Sequence, residues 1–141
     1  MSEISIHDNI VVGYSVFCED CEIVLHTAYR DKEPHEQTDV IFRGVEAYYV
    51  ARDNMHTILF DIEGCPVDNI IADFSSEFET GAKHGWPGAW NHSLEACRDY
   101  FEKRHSKGWI ISSSYGMVGF VIAESMELRP RDKSEMLEVG V

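Results

Sequence analysis

The residues best suited to recognition or chemistry lie together in Gly81-Ala82-Lys83-His84-Gly85-Trp86-Pro87-Gly88-Ala89-Trp90-Asn91-His92, which holds three glycines, a proline, two tryptophans and two histidines. Tryptophan combines a large apolar body with a polar N–H and is enriched at recognition sites. Glycines let a backbone approach a partner closely. The competing reading is that Trp86 and Trp90 fold back to cap the core and that the glycines only turn the chain. His84 and His92 are metal ligands by residue type. Neither belongs to a His-x-x-x-His pair, and His7, His26, His35, His56 and His105 are scattered. No metal or other cofactor is expected.

Other chemistries find less support. Cys18-Glu19-Asp20-Cys21 has the spacing of half a zinc site, but Cys65 and Cys97 stand alone and supply no second pair. The two intervening carboxylates oppose a thiolate, so the segment reads as a polar hairpin turn. Asp39, Asp61 and Glu63 lie in or beside strands, as carboxylates do in any acidic protein. No nucleophile elbow, phosphate loop or zinc-protease helix is present, and no catalytic residue is assigned.

The elements that must position these residues begin with Ile23–Tyr29, Thr38–Val50 and Met55–Ile62, which read as three consecutive strands from their period-2 alternation. In the middle run the apolar phase changes from Val40 and Phe42 to Val45, Ala47 and Tyr49. A β-bulge at Arg43–Gly44 restores the phase. Short polar links, Arg30–Pro34 and Arg52–Asn54, favour antiparallel hairpins over crossovers. An earlier strand, Ile10–Val16, alternates cleanly.

After Pro66, the residues Val67, Ile70, Ile71, Phe74 and Phe78 form one helical stripe that Gly81 ends. A second helix starts at Asn91 or Ser93 and carries Leu94, Cys97 and Phe101. Trp109–Ile111 and Val118–Ile122 are further strands, with Ser112–Gly116 as a link. The expectation is an α+β fold of order β-β-β-β-α-α-β-β. It has one curved, mainly antiparallel sheet of about six strands with two helices on its concave face. Residues 1–129 form the single domain and residues 130–141 a flexible C-terminal tail.

With 25 acidic and 12 basic residues the net charge is −13, which repels phosphate backbones and attracts a basic partner. Its plainer effect is solubility. No apolar run approaches the ~20 residues of a spanning helix. The first residues carry no leader pattern, and four cysteines without a disulfide framework suit a reducing compartment, so a cytoplasmic protein is expected.

Val24-Leu25-His26-Thr27-Ala28-Tyr29-Arg30, Glu33-Pro34-His35-Glu36 and Thr38–Tyr48, with its Asp-Val-x-Phe-x-Gly-Val-x-Ala-Tyr pattern, resemble a family of small uncharacterised bacterial proteins. Acidic members of this kind are grouped with immunity proteins of bacterial toxin systems. The resemblance spans about a third of the chain and implies an immunity-type inhibitor, for which the charge suggests a basic protein as partner. It carries no catalytic motif. Three functional expectations result. The first is an acidic binding module for a basic protein, with aromatic anchors from the Gly81–Trp90 loop. The second is a small-ligand protein or enzyme whose pocket is lined by Tyr48, Tyr49, Trp86 and Trp90, with His84 and His92 close by. The third is a homo-oligomer formed through an open edge such as Ile10–Val16.

Overall fold

A computed structural model describes residues 5–31 and 33–131. Eight strands and three helices follow one another as β1 (Ile10–Phe17), β2 (Glu22–Tyr29), β3 (Glu36–Arg43), β4 (Ala47–Ala51), β5 (Ile58–Cys65), α1 (Val67–Asp73), α2 (Ser75–Ala82), α3 (Leu94–Lys103), β6 (Lys107–Tyr115), β7 (Val118–Ala123) and β8 (Ser125–Arg131). All strands join one antiparallel sheet of order β4-β7-β6-β5-β1-β2-β3-β8. The fold is α+β, with two strands and one helix more than the sequence suggests.

The largest difference concerns Thr38–Val50. It is two strands at opposite ends of the sheet: β3 pairs with β2 and β8, whereas β4 pairs with β7. The phase change marks a corner rather than a bulge. Gly44 sits at a φ of +64°, where a β-carbon is costly. The opposing chain turns at the same level, and the Glu124 N–H donates to the carbonyls of Arg43 (3.0 Å) and Gly44 (3.2 Å). The ribbon β3–β4 against β7–β8 is therefore one long ladder folded at Gly44 and Glu124.

That corner rolls the sheet. Leu25 and Phe42 share a buried cluster with Leu59, Ile111 and Val121, although four strands separate β3 from β7 in the pairing order. Phe42 meets Trp109 edge-on at 5.8 Å across this interior. Ile6 plugs the cluster from below. The concave face is thus filled by the sheet itself. The helices pack on the other face, where Ile70, Ile71, Phe78, Cys97 and Phe101 meet Ala47, Phe120 and Ile122 of β4 and β7. The concave placement expected for the helices is corrected accordingly.

The helical stripe that starts at Val67 is present but bent. Phe74 (φ −114°, ψ 31°) ends α1 and opens α2, followed by the weak helix formers Ser75 and Ser76. The bonds Phe74 N–H to Ile70 O and Phe78 N–H to Phe74 O bridge the bend, which keeps the stripe on one face. Ser93 is the N-cap of α3, its Oγ accepting from the Ala96 N–H at 3.0 Å. Ser112–Tyr115 belong to β6, because pairing with β5 rather than apolar pattern defines them. β8 reaches Arg131, two residues into the stretch read as a tail. The remainder, 132–141, lies outside the described residues. Among the described residues no helix is long and apolar enough to cross a membrane.

Candidate functional site

The α2–α3 connection folds back onto the helical layer. Trp86 lies against Phe78 (5.5 Å), Tyr49 (6.2 Å) and Phe120 (6.4 Å). Gly81 makes this possible, since a β-carbon there would sit 2.5 Å from the Trp86 ring and carbonyl. Trp90 stacks flat on Tyr100 at 4.0 Å and meets Phe101 edge-on at 5.0 Å. Arg104 covers the far face of this stack, 5.2 Å from the Tyr100 ring. Gly88 is required for the same reason as Gly81, with the Trp90 indole N 2.2 Å from its would-be β-carbon.

Asn91 holds the loop in place. Its side chain is buried, donates to the carbonyls of Phe78 (2.9 Å) and Trp86 (2.7 Å), and accepts from the Cys97 Sγ–H (2.9 Å). The segment is a rigid cap with two half-buried indoles. His84 and His92 are exposed on its surface. Among the described residues no three His, Cys, Asp or Glu side chains converge as metal ligands.

Two hollows flank Trp86. The larger, about 660 Å³, is a groove between the β1–β2 hairpin and β4. Tyr14, Phe17, Tyr48, Tyr49 and Trp86 give it aromatic walls, and Glu22, Glu46 and Asp53 are its carboxylates. Glu46 is engaged by Arg104 Nε (2.6 Å) and Ser106 Oγ (2.7 Å). Asp53 accepts from the Tyr14 hydroxyl at 2.6 Å, and this bond holds the phenol neutral to higher pH than usual. Among the described residues no lysine, arginine or histidine lines the groove. The smaller hollow, about 460 Å³, lies on the other side of Trp86 and is lined by Tyr49, Ser76, Glu77, Thr80, Gly81 and His84.

Of the residues singled out in the sequence, Tyr48, Tyr49 and Trp86 come together in the groove, and Tyr49, Trp86 and His84 in the second hollow. Tyr48 and Tyr49 leave β4 on opposite faces, so only Tyr49 reaches the helical layer. Trp90 and His92 line neither hollow. The groove also takes residues the sequence did not single out: Tyr14, Phe17, Glu22 and Asp53. The sequence places Tyr14 in the clean alternation of β1; in the structure the register shifts between Val11 and Gly13, and Val12 and Tyr14 are each 44% exposed.

The thiols divide by environment. Cys18 and Cys21 are exposed at the β1–β2 turn, Cys65 is half-buried and Cys97 is buried. Burial pushes the Cys97 thiol up to about 11 from an ordinary 9.0. Burial also raises Cys65, helped by Asp73 and Glu63. Under native conditions an alkylating reagent is expected to modify Cys18 and Cys21 fast, Cys65 slowly and Cys97 only on unfolding, as read by peptide mass spectrometry. The Cys97 shift has a sign for stability. Its contribution is full below the unfolded pKa of 9.0 and is lost as pH rises through about 11. Fast native labelling of Cys97 would show that the Asn91 brace opens readily.

Comparison with protein families, curated proteins and solved structures finds no match for this chain.

Proposed function

We propose that the protein is a cytoplasmic binding module that holds a basic protein, in the manner of an immunity-type inhibitor, and that the β1–β4 groove is the contact site. The observation that carries this reading is the groove's make-up. Aromatic walls surround Glu22 and Asp53, and among the described residues no cationic side chain lines the groove, Arg43 acting on Glu22 only from across the β2–β3 ladder. Aromatic faces and carboxylates together select lysine and arginine, through cation–π contact and charge-assisted hydrogen bonds. The net charge of −13 adds long-range attraction, which speeds encounter and is screened by salt. The exposed, unbridged thiols of Cys18 and Cys21 support a reducing setting. The resemblance of Val24–Tyr48 to immunity-grouped proteins points the same way.

The test is capture at low and high ionic strength by the native chain and by a Glu22→Lys/Asp53→Lys variant. A basic protein should be retained at low salt, leave as salt rises, and bind the variant at least tenfold more weakly. Retention that is equal on both columns, or indifferent to salt, removes the proposal. A second reading rests on the hollow beside Trp86, whose size falls within the usual range for small-ligand sites. A metabolite that raises the melting temperature of the native chain but not of a His84→Ala/Glu77→Ala variant would favour it.

A further inference from the structure

The groove is bordered by strand edges rather than by sheet faces. Val45 through Val50 line it without a gap, so residues of both β4 faces contribute. Alternation along a strand permits this only when the strand is met edge-on. Among the described residues β4 has one neighbouring strand, β7. On the opposite wall, β1 pairs with β2 along its length but with β5 through Ile10 alone. Among the described residues, β4 and the part of β1 beyond Val11 therefore present N–H and C=O groups with no strand beside them.

Two hydrogen bonds fix the walls of the groove to each other. At one end the Val45 N–H donates to the Cys21 carbonyl at 2.8 Å, tying the corner to the hairpin tip. At the other, the Tyr14 hydroxyl reaches Asp53 just beyond β4. Between these two ties lies the groove, about 660 Å³ in volume.

Resting on the reading above, we propose that the partner inserts an extended, cationic segment of about five residues along the open edge of β4, adding a strand to the sheet. The segment's main chain would pair with β4. Its basic side chains would meet Glu22 and Asp53, and its alternate, apolar side chains would pack on the Tyr49–Trp86 wall. Charge complementarity selects this occupant over an acidic or neutral strand, because the lining holds carboxylates and no cation.

The probe is an acetylated, amidated peptide, Arg-Val-Lys-Val-Arg-Val-Lys, titrated into the full chain by NMR and by tryptophan fluorescence. A second peptide carries N-methyl groups on alternate backbone amides, prepared in both phases. The expected result is saturable binding, slowed amide exchange within Ala47–Ala51, and at least a tenfold loss of affinity for one methylation phase. Glu22→Lys/Asp53→Lys should cost at least tenfold as well. Binding that ignores methylation in both phases would overturn strand addition while leaving the basic-partner reading intact. Salt-sensitive capture of a basic protein by the native column with no binding of the peptide would do the same. A self-association of the chain that blocks the peptide would give the edge to a second copy and also overturn the proposal.

Discussion

Replacing Phe120 by alanine is expected to cost the fold about 3–5 kcal/mol, a large share of the roughly 5–15 kcal/mol that holds a domain together. Phe120 is fully buried on β7, facing the helices. Its ring stacks on Phe78 at 5.5 Å with 18° between planes and on Tyr49 at 6.2 Å with 25°. Phe74 lies tilted against it at 4.9 Å, and Trp86 at 6.4 Å. These four neighbours come from β4, the α1–α2 bend, α2 and the α2–α3 loop. The substitution therefore opens a cavity where all of them meet. Each is itself anchored elsewhere, which limits collapse and keeps the cost at the upper end of the range. Urea denaturation measures it, with a fall in melting temperature on the order of 10 °C as a second reading. A loss near 1 kcal/mol would mean that Trp86 swings inward to fill the space. Trp86 and Tyr49 wall the groove, so partner affinity should fall together with stability.

The parts of this fold that were legible in the sequence are the local ones. Ile23–Tyr29 and Val118–Ile122 reported strands through their β-branched and aromatic residues, although both faces of each are buried. The stripe from Val67 to Phe78 reported the helix because one face of it meets an apolar layer. What could not be read was which strand lies beside which. Gly44 shows why: a phase change looks the same whether the strand bulges in place or turns a corner onto another part of the sheet. β8 was missed because Glu127, Arg129 and Arg131 give it the charge of a tail, and charge is also how an edge strand is protected. Its pairing is non-local. Arg43 on β3 binds Glu127 at 2.6 Å, and the Arg131 Nε lies 3.4 Å from Asp39.

The candidate site divides along the same line. The density of tryptophan and glycine between the helices did mark Trp86, and the glycines are explained by the close approach of the indoles. It marked Trp90 and His92 equally, and these serve α3 or face solvent away from the groove. Composition cannot separate them, because the choice depends on where β4 lies. The opposite wall came from β1 and the β1–β2 turn, more than sixty residues earlier than Trp86. Phe17, 47% exposed beside the polar turn, was the one local signal that this wall existed.

The second large effect is expected at Gly119, where alanine should destabilise the fold by about 3 kcal/mol and do so by parting β4 from β7. A β-carbon on Gly119 would lie 1.9 Å from the Tyr49 carbonyl oxygen, 2.9 Å from its carbon and 3.0 Å from Val50 Cα. All three are backbone atoms, so no side chain can rotate away to make room. The ladder must open by about 1 Å at the Val50–Gly119 pair, the fourth of the five pairs that join the two strands. β4 has no second neighbour to hold it, so the disturbance should spread along β4 rather than into β6. Hydrogen exchange should show this, with amides of Ala47–Ala51 losing protection while those of Lys107–Ile111 keep it. Uniform loss across both strands would mean that β4 is not an independent edge, and that the groove it borders cannot respond to an added strand. Selective loss at β4, together with loss of peptide binding, would tie the groove to the edge it was inferred from. Phe120→Ala separates the two contributions, because it loosens the aromatic wall while leaving the β4–β7 backbone ladder in register.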